Sequence, residues 1–288
     1  MQYMANAHGD IPPRAHDGPR AILVTGASRG IGRATALALA AQGHNLILTA
    51  RSVDGGLQYQ GTSIHDDLIG EIFSGSVNEV AEQCRSHGVR VETVAMNLTD
   101  ESSVQAAAEH ALTKFGSVDT IVSNAIYQGP GINDRFDDLP IDTLRRVIEA
   151  DAVAPLVLLK TLLPSMLASG RGVYVHVTSG TATLVPRYPA GQGGWGLAYA
   201  MAKGSAHRIA GILQVEYQQH GFRAHNLNPG HVTTDAMIAR SQKTGQVATG
   251  QSPEIAAHAI AWLIAGSDAA IALGGQESIA RDIARDAM

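Results

Sequence analysis

The chain has 288 residues, of which 45% are hydrophobic and 16% are charged, and its formal net charge is -5. This composition excludes a disordered chain and allows one large α/β domain or two small ones. The acidic balance offers no basic surface to a nucleic acid or an anionic membrane, so we expect neither as a partner.

The first 19 residues are interpreted as a flexible N-terminal arm before a single domain at 20–288. They are polar, contain three prolines and lack the apolar core of a signal peptide. No apolar run reaches the roughly 18 residues of a membrane span. Cys84 is the single cysteine, which excludes an intramolecular disulfide, and no His/Cys cluster has the spacing of metal ligands. We therefore expect a cytoplasmic protein without a metal.

From Ala21 onward, short apolar or β-branched runs alternate with longer helical patterns. Helices are predicted near 31–42, 101–115, 141–168, 198–219 and 254–264, and strands at Ala21–Thr25, Asn45–Ala50, Arg90–Ala95, Asp119–Ser123, Val173–Thr178 and Arg223–Leu227. Apolar strands separated by helices are typical of a parallel sheet buried on both faces. The predicted fold is α/β, a single doubly wound, Rossmann-type parallel sheet with helices on both faces. Ligands are expected beyond the carboxyl ends of its strands.

Two polar segments are longer than ordinary connections, whose median length is about 4 to 6 residues. Residues 52–76 form an inserted loop between the second strand and its helix, and residues 233–252 are rich in Thr, Gln, Gly and Ser. Both follow strands at the carboxyl edge of the predicted sheet. We interpret them as lid candidates, with 233–252 as the lid over the substrate.

The turn after the first strand has the spacing of a phosphate-binding loop, Thr-Gly-Ala-Ser-Arg-Gly-Ile-Gly over residues 25–32. Gly26 allows a tight turn, Gly30 lets the backbone approach a dinucleotide, and Gly32 lets helix and strand pack closely. The pyrophosphate then lies at a helix N-terminus, where N–H groups and the helix dipole favour an anion. The contacts expected in this turn are Gly26, Ser28, Arg29, Gly30, Ile31 and Gly32.

The end of the second strand indicates which dinucleotide binds. NAD-binding folds of this type usually place an acidic residue there, which accepts a hydrogen bond from the ribose 2′-OH. This chain has Ala50-Arg51-Ser52, without a carboxylate. The guanidinium groups of Arg29 and Arg51 can flank a 2′-phosphate. The sequence therefore predicts NADP(H) rather than NAD(H), with Arg51 and Ser52 at the adenosine ribose.

An acid/base pair is predicted at the start of the helix near 198–219. Tyr199 and Lys203 are four residues apart and therefore share one helix face. A nearby ammonium stabilises phenolate and lowers the pKa of a phenol from its usual value near 10. Ser179 follows the apolar strand at the sheet edge, where its hydroxyl can hydrogen-bond a reacting oxygen.

Taken together, these motifs resemble those of the short-chain dehydrogenase/reductase family. After the glycine loop come Ser123-Asn124-Ala125, Thr178-Ser179, Tyr199-x-x-x-Lys203 and Asn228-Pro229-Gly230, in the family's order and over roughly residues 20–276. The resemblance implies hydride transfer between a nicotinamide and a small-molecule carbonyl or alcohol. It also implies a homodimer or homotetramer, whose interface in that family forms from helices corresponding to 141–168 and 198–219.

The resemblance assigns a role to each matching residue. Tyr199 is the acid/base, Lys203 holds the nicotinamide ribose and lowers the tyrosine pKa, and Ser179 orients and polarises the substrate carbonyl. Other cofactor contacts fall on Asn97, Leu98, Asn124, Ala125, Pro229, Gly230, Val232 and Thr234.

The chain departs from the family pattern in two places that affect the shape of the site. Ile126 stands where the family usually has glycine, and it crowds the cofactor cleft. The stretch from Ser179 to Tyr199 is longer than usual. Its Tyr188 and Trp195 are either walls of a substrate pocket or ordinary packing residues.

A third departure is Asp151, which stands where the family has a fourth catalytic residue, an asparagine. Pro155 has no N–H for the carbonyl of Asp151, so we expect the helix to bend there and leave that carbonyl for a relay water. A carboxylate near Lys203 favours the charged ammonium and partly offsets its effect on Tyr199. Our hypothesis is that Asp151 moves the pH optimum.

Two other functions stay open. An epimerase or dehydratase of the same family shares the fold and the Tyr/Lys pair, but it usually has a larger C-terminal substrate region. A regulator that senses NADP(H) without turnover would be expected to lose Tyr199 or Ser179, and both are present. Beyond Gln276 we expect a short helical tail.

Overall fold

A computed structural model describes residues 18–72, 75–245 and 247–286. Most of the predicted N-terminal arm lies outside the described residues. Within them, seven strands form one sheet: β1 Ala21–Thr25, β2 Asn45–Ala50, β3 Val91–Ala95, β4 Thr120–Ser123, β5 Val173–Val177, β6 Arg223–Asn228 and β7 Glu277–Ile279.

Helices connect the strands and cover both faces of the sheet. Their bounds are α1 Gly30–Ala41, α2 Val77–Arg85, α3 Glu101–Phe115, α4 Ile141–Ile148, α5 Ala154–Ala168, α6 Leu197–Tyr217, α7 Asp235–Thr244, α8 Pro253–Ala265, α9 Asp268–Ala272 and α10 Ala280–Asp286. Over the described residues, no helix is both long and apolar enough to cross a membrane.

The strand order is β3-β2-β1-β4-β5-β6-β7, and every neighbouring pair is parallel. The predicted doubly wound parallel sheet is therefore confirmed. The order reverses between β1 and β4, which run side by side although β2 and β3 separate them in the sequence. In an open sheet of this kind, a ligand crevice forms at the carboxyl ends of the strands on either side of that reversal.

The sheet separates two hydrophobic cores because successive strand residues point to opposite faces. Ile22 and Val24 of β1 pack with α1, α2 and α8 in one core. Leu23 packs with α3, α5 and α6 in the other. Each β1 side chain in this set is completely buried, which explains why the strand reads as an uninterrupted apolar run.

The predicted helix over 141–168 is interrupted. A π-helical turn occupies Glu149–Val153 between α4 and α5 and contains Asp151. Pro155 follows at the start of α5, where its missing N–H prevents the regular ladder from continuing. The expected distortion is confirmed, and it occurs as one wide turn of the kind that is common at functional sites.

One expectation about the chain needs correction. The segment after Gln276 is not simply helical, because β7 adds a seventh strand to the sheet before α10 begins. A strand of three residues has too few positions to show an alternating pattern. The predicted lid over 233–252 contains helix α7, and an isolated bridge between Val232 and Gln251 closes its base.

Candidate active site

The glycine loop has the geometry of a tight turn between β1 and α1. Gly26 and Gly30 have positive φ angles of 67° and 54°, in the left-handed region that favours glycine. A carbon added at Gly32 would lie 2.2 Å from the carbonyl oxygen of Gly26. A carbon added at Gly30 meets no atom within 4 Å. Gly32 is therefore required by packing, whereas Gly30 leaves open space beside the backbone.

Thr25 and Asn124 join the glycine loop to the end of β4. The hydroxyl of Thr25 accepts hydrogen bonds of 2.9 Å from the N–H groups of both Asn124 and Ala125. The amide of Asn124 donates to the carbonyl oxygens of Thr25 and Gly26, at 2.9 and 3.3 Å. These contacts cross the point where the strand order reverses, so they fix the two walls of the crevice against each other.

A cavity of about 260 Å³ opens at the N-terminus of α1 and is lined by Ser28, Arg29, Gly30 and Arg33. No side-chain cap engages the first turn of this helix, so its N–H groups are oriented toward the cavity without a competing side-chain acceptor. Its wall carries the arginines Arg29 and Arg33 and also the carboxylates of Glu79 and Asp235, so the attraction for an anionic group comes from the helix N-terminus.

Arg29 lies close enough to Arg51 to affect the pKa of Arg51. Partial burial and the charge of Arg29 lower the pKa of Arg51, and Tyr127 opposes this shift. The Nε atom of Arg29 lies 4.0 Å from a carboxylate oxygen of Asp235, in the first turn of α7. The two guanidinium groups therefore face the same side of the crevice, and the lid helix meets the glycine loop there.

Tyr199, Lys203, Ser179 and Asp151 form one polar group, here called the Tyr199 cluster, in which Lys203 and Asp151 are buried and Tyr199 and Ser179 are partly exposed. The Lys203 ammonium lies 6.0 Å from the centre of the Tyr199 ring and donates a hydrogen bond of 2.8 Å to the carbonyl oxygen of Val177. The Ser179 side chain acts to lower the pKa of Tyr199, and its hydroxyl accepts a hydrogen bond of 3.2 Å from the N–H of Thr181. Helix α6 thus holds the phenol and the ammonium against the carboxyl end of β5.

Burial dominates the titration of the Tyr199 cluster. Loss of water raises the pKa of Tyr199 to about 12; the Asp151 carboxylate adds to this rise and the Ser179 side chain opposes it. Burial also lowers the pKa of Lys203, which Asp151 opposes. The sequence predicts a tyrosine pKa lowered by Lys203, and the structure differs because desolvation penalises phenolate more strongly. The phenol is protonated at neutral pH.

Asp151 contributes a buried carboxylate to this cluster. Only 2% of its surface is exposed. Its Oδ1 atom accepts from the N–H of Tyr127, while Oδ2 has no hydrogen-bond partner among the described residues. Burial raises the pKa of Asp151 to about 6, against the opposing effects of Lys203 and the Tyr127 N–H. This carboxylate therefore changes charge just below neutral pH.

A row of polar contacts lies behind Ser179. The hydroxyl of Thr178 is 2.9 Å from Nδ1 of His207, and Nε2 of His207 is 3.8 Å from a carboxylate oxygen of Glu277. Asn228 donates to the other oxygen of Glu277 at 2.8 Å. The row links α6 to the ends of β5, β6 and β7.

The remaining predicted cofactor residues lie at the same edge and have local partners. The Ser52 hydroxyl donates to the carbonyl of Gly55, and the side-chain oxygen of Asn97 accepts from Thr99. Leu98 is buried. The Thr234 hydroxyl caps α7, and Pro229, Gly230 and Val232 lie between β6 and that cap.

Two residues beyond the sequence prediction shape the site. Thr25 had a visible signal, since it is a hydroxyl residue that ends an apolar strand directly before a glycine. Tyr127 had no such signal. Its N–H reaches Asp151 because the π-helical turn brings that carboxylate toward the segment after β4.

Comparisons with known proteins give a consistent result. The profile of the short chain dehydrogenase family matches residues 20–62 and 71–245. Cis-4-hydroxycyclohexanecarboxylate dehydrogenase of Sinomonas cyclohexanicum is 31% identical over 261 residues, which span 87% of this chain and 90% of that protein. An alcohol dehydrogenase from the archaeon Thermococcus sibiricus, complexed with 5-hydroxy-NADP, superposes with a TM-score of 0.67 at 25% identity, over 91% of this chain and 96% of the other.

Carveol dehydrogenase from Mycobacterium avium, in complex with NAD, has the same fold, with a TM-score of 0.70. It is 18% identical to this chain, and the superposition covers 90% of this chain and 95% of that one. The solved structures of this fold thus include both NADP-type and NAD-bound proteins.

Proposed function

The chain belongs to the short-chain dehydrogenase family, and we propose that it is an NADP(H)-dependent oxidoreductase that transfers hydride between the nicotinamide and a carbonyl/alcohol substrate. The observation that carries the proposal is the Tyr199 cluster. It combines a protonated phenol, an ammonium and a serine hydroxyl at the sheet edge that also holds the glycine loop.

The glycine loop fits a dinucleotide. Open space at Gly30 leaves room for a bound group close to the backbone, and the cavity at the N-terminus of α1 suits a pyrophosphate. When bound, the nicotinamide supplies or accepts the hydride. Asn124, Ala125 and Lys203 are positioned to hold its ribose and ring along the crevice between β1 and β4.

Arg29 and Arg51 support NADP(H) over NAD(H). The end of β2 has no carboxylate that could accept a hydrogen bond from the ribose 2′-OH. Arg51 stands at this position instead. The two guanidinium groups are close enough to lower the pKa of Arg51, so an anion between them would relieve their mutual repulsion. A 2′-phosphate has that charge and accepts several hydrogen bonds at once.

The titration of Tyr199 leaves the phenol in its proton-donor form, which is the form that carbonyl reduction uses. The pKa of Tyr199 is raised to about 12, so the phenol carries a proton that it can give to a carbonyl oxygen as negative charge develops there. The Ser179 side chain influences the titration of the same phenol, which supports a role for its hydroxyl beside the reacting oxygen. Both groups would then stabilise the developing alkoxide, as preorganised donors do.

Lys203 and Asp151 are proposed to return the proton to Tyr199. The ammonium is held by the Val177 carbonyl and interacts electrostatically with the Asp151 carboxylate. With a pKa raised to about 6, Asp151 can take up and release a proton in the range where cells operate. Its main-chain carbonyl, in the π-helical turn beside Pro155, is the proposed site of a relay water.

Self-association is proposed from the surface of α5 and α6. Leu156 of α5 and Ile212 and Val215 of α6 expose between 41% and 73% of their surfaces. Apolar side chains of this kind on two long helices suit a homodimer or homotetramer.

The proposed function is tested by turnover with a panel of ketones, aldehydes and quinones, with NADPH or NADH, followed at 340 nm. We expect NADPH-dependent reduction of at least one carbonyl class. Tyr199→Phe removes the phenolic proton and should lower kcat by about 100-fold or more, while NADPH affinity by fluorescence titration stays within about twofold. Undiminished turnover by this variant contradicts the assigned acid/base. NADPH binding without turnover by the wild-type protein would favour a cofactor-sensing regulator.

A further inference from the structure

The inserted loop after β2 contacts distant parts of the chain, and those parts adjoin the Tyr199 cluster. Ordinary connections in such a fold stay near the strands that they join. This loop instead reaches the segment after β4, residues 126–134. Thr62, Ser63 and Ile64 of the loop meet Asn133 and Asp134 there.

Asp134 is the centre of this junction. Only 2% of its surface is exposed. One carboxylate oxygen accepts from the hydroxyl of Ser63 and from the N–H of Ile64, the latter at 3.0 Å. The other accepts from the N–H of Gly131 at 2.7 Å. A buried carboxylate is costly unless donors surround it, so this one holds the inserted loop and the 126–134 segment together.

Further hydrogen bonds strengthen the same junction. The N–H of Asn133 donates to the carbonyl of Thr62 at 2.8 Å, and the side-chain amide of Asn133 donates to the Thr62 hydroxyl at 3.1 Å. Within the loop, Asp66 accepts from the N–H of Thr62 and from the hydroxyl of Tyr59. The loop therefore has a defined conformation where it meets Asp134.

The junction continues to the helix that carries Tyr199. The N–H of Gly196, just before α6, donates to the carbonyl of Ile132 at 3.2 Å. A carbon added at Gly196 would lie 2.4 Å from that oxygen and 2.8 Å from the carbonyl oxygen of Asp134. Tyr199 lies in the first turn of this helix. The contacts thus run from the inserted loop through Asp134 to the N-terminus of α6.

The other side of the loop touches the lid. The ammonium of Lys243 in α7 donates to the carbonyl of Asp67 at 3.3 Å and lies 3.8 Å from its carboxylate. Both side chains are about half exposed, so this contact is weak compared with that of Asp134. The loop nevertheless joins the segment after β4 to the lid after β6.

We propose that residues 59–67 of the inserted loop form a fixed outer wall on the substrate side of the Tyr199 cluster, and that Asp134 is the positioning residue that sets how bulky a carbonyl compound the site accepts. The inference rests on the proposed function, since it concerns the substrate of the same site. Asp134 acts through the 126–134 segment and the start of α6, and it does not itself touch the reacting atoms.

The test compares two ketones of different bulk, cyclohexanone and 1-decalone, with NADPH. In Asp134→Asn, an NH₂ group replaces one carboxylate oxygen and faces a hydrogen-bond donor of the loop or of Gly131. One hydrogen bond of the junction is therefore lost, and the wall becomes less rigid. We expect the ratio of kcat/KM for 1-decalone to that for cyclohexanone to rise at least about fivefold. The change should come from KM, with KM for NADPH unchanged. Ser63→Ala should shift the ratio in the same direction by a smaller factor, and Ser63→Thr, which keeps the hydroxyl, should restore it.

Asp142→Asn is the matched control, because it removes one carboxylate from the exposed surface of α4. An unchanged ratio in folded Asp134→Asn, or an equal change in Asp142→Asn, overturns the inference. If Asp134→Asn does not fold, Ser63→Ala and Ser63→Thr provide the test. An unchanged ratio of the two kcat/KM values in Ser63→Ala, or an equal change in Ser63→Thr, then overturns the inference.

Amide hydrogen exchange separates this inference from the proposed function, because it requires no turnover. In the Asp134 and Ser63→Ala variants, exchange should accelerate together at 62–64, at 131–134 and in the first turn of α6. If the wild-type protein reduces no carbonyl while these segments still respond together, the proposed function fails and the fixed wall stands. Acceleration confined to 62–64 overturns the wall.

Discussion

The two sides of the candidate active site keep their geometry by different means. Around the glycine loop, the contacts join backbone atoms to small polar side chains, as when Thr25 accepts from two main-chain N–H groups. Around Tyr199, buried titratable groups interact through charge, as when Asp151 affects the pKa values of Tyr199 and Lys203. Side-chain volume is therefore critical around the glycine loop, and side-chain charge is critical around Tyr199.

This contrast predicts different responses to substitution. A change of size at the glycine loop should disturb folding and cofactor binding at every pH, because no proton is involved. A change of charge in the Tyr199 cluster should leave the fold intact and alter the pH dependence. Three substitutions test this division.

Gly32→Ala should have the largest effect. The added carbon would lie 2.2 Å from the Gly26 carbonyl oxygen and 2.7 Å from the side-chain nitrogen of Asn124. Hydrogen bonds hold both of these groups in place. Overpacking of this kind costs about 3 kcal/mol or more when backbone must move. Urea unfolding should show this loss at both pH 6 and pH 8, with NADPH binding abolished.

Gly211→Ala in α6 is the control for Gly32→Ala. A carbon added at Gly211 would have the Gly275 carbonyl oxygen as its nearest neighbour beyond its own stretch of helix, at an ordinary contact distance of 3.5 Å. Alanine is favoured over glycine inside a helix by roughly 1 kcal/mol, so stability should stay equal or rise. Equal losses in the two variants would mean that close packing is not what requires Gly32.

The sequence predicts the glycine side well because its requirements are local. The tight turn, the close approach and the helix start all fall within residues 25–32, and each has a fixed backbone cause. The strands adjoining this turn are apolar on both faces, so they too can be predicted from their local residue pattern. The local residue pattern was therefore enough to locate the glycine loop.

The junction of the inserted loop could not be predicted in this way. Ser63 and Asp134 are 71 residues apart, and nothing in the local pattern of either shows that a buried carboxylate joins them. The pKa of Tyr199 was missed for a related reason. Its direction depends on how completely the phenol is desolvated, which is a property of the packed helices and not of the Tyr/Lys spacing.

Arg51→Ala should have an intermediate effect, which is confined to cofactor choice. One charged hydrogen-bonding group to a phosphate contributes about 1.5 to 3 kcal/mol, so the ratio of kcat/KM for NADPH to that for NADH should fall roughly 10- to 100-fold. Turnover at saturating NADPH should change little because the Tyr199 cluster is untouched. Arg145→Ala, on the exposed face of α4, should leave the ratio unchanged. An equal fall with both cofactors would contradict a 2′-phosphate contact.

Asp151→Asn should have the smallest effect on the fold and a clear effect on pH dependence. Asparagine keeps an acceptor for the Tyr127 N–H, and its N–H₂ replaces an oxygen that has no hydrogen-bond partner among the described residues. Without the carboxylate, one cause of the raised pKa of Tyr199 disappears. The basic limb of the pH–rate profile should therefore move to lower pH by about one unit, and the acidic limb near pH 6 should vanish.

Stability should reveal the same carboxylate independently of turnover. The pKa of Asp151 is raised from 3.8 to about 6 on folding, so between these pH values the unfolded chain has already lost a proton that the folded chain keeps. Stability contributed by this group must then fall as pH rises from 4 to 6 and stay constant above that. The melting temperature of Asp151→Asn should accordingly rise relative to wild type across that interval. A constant difference, together with two unmoved limbs in the rate profile, would show that charge is not what Asp151 contributes.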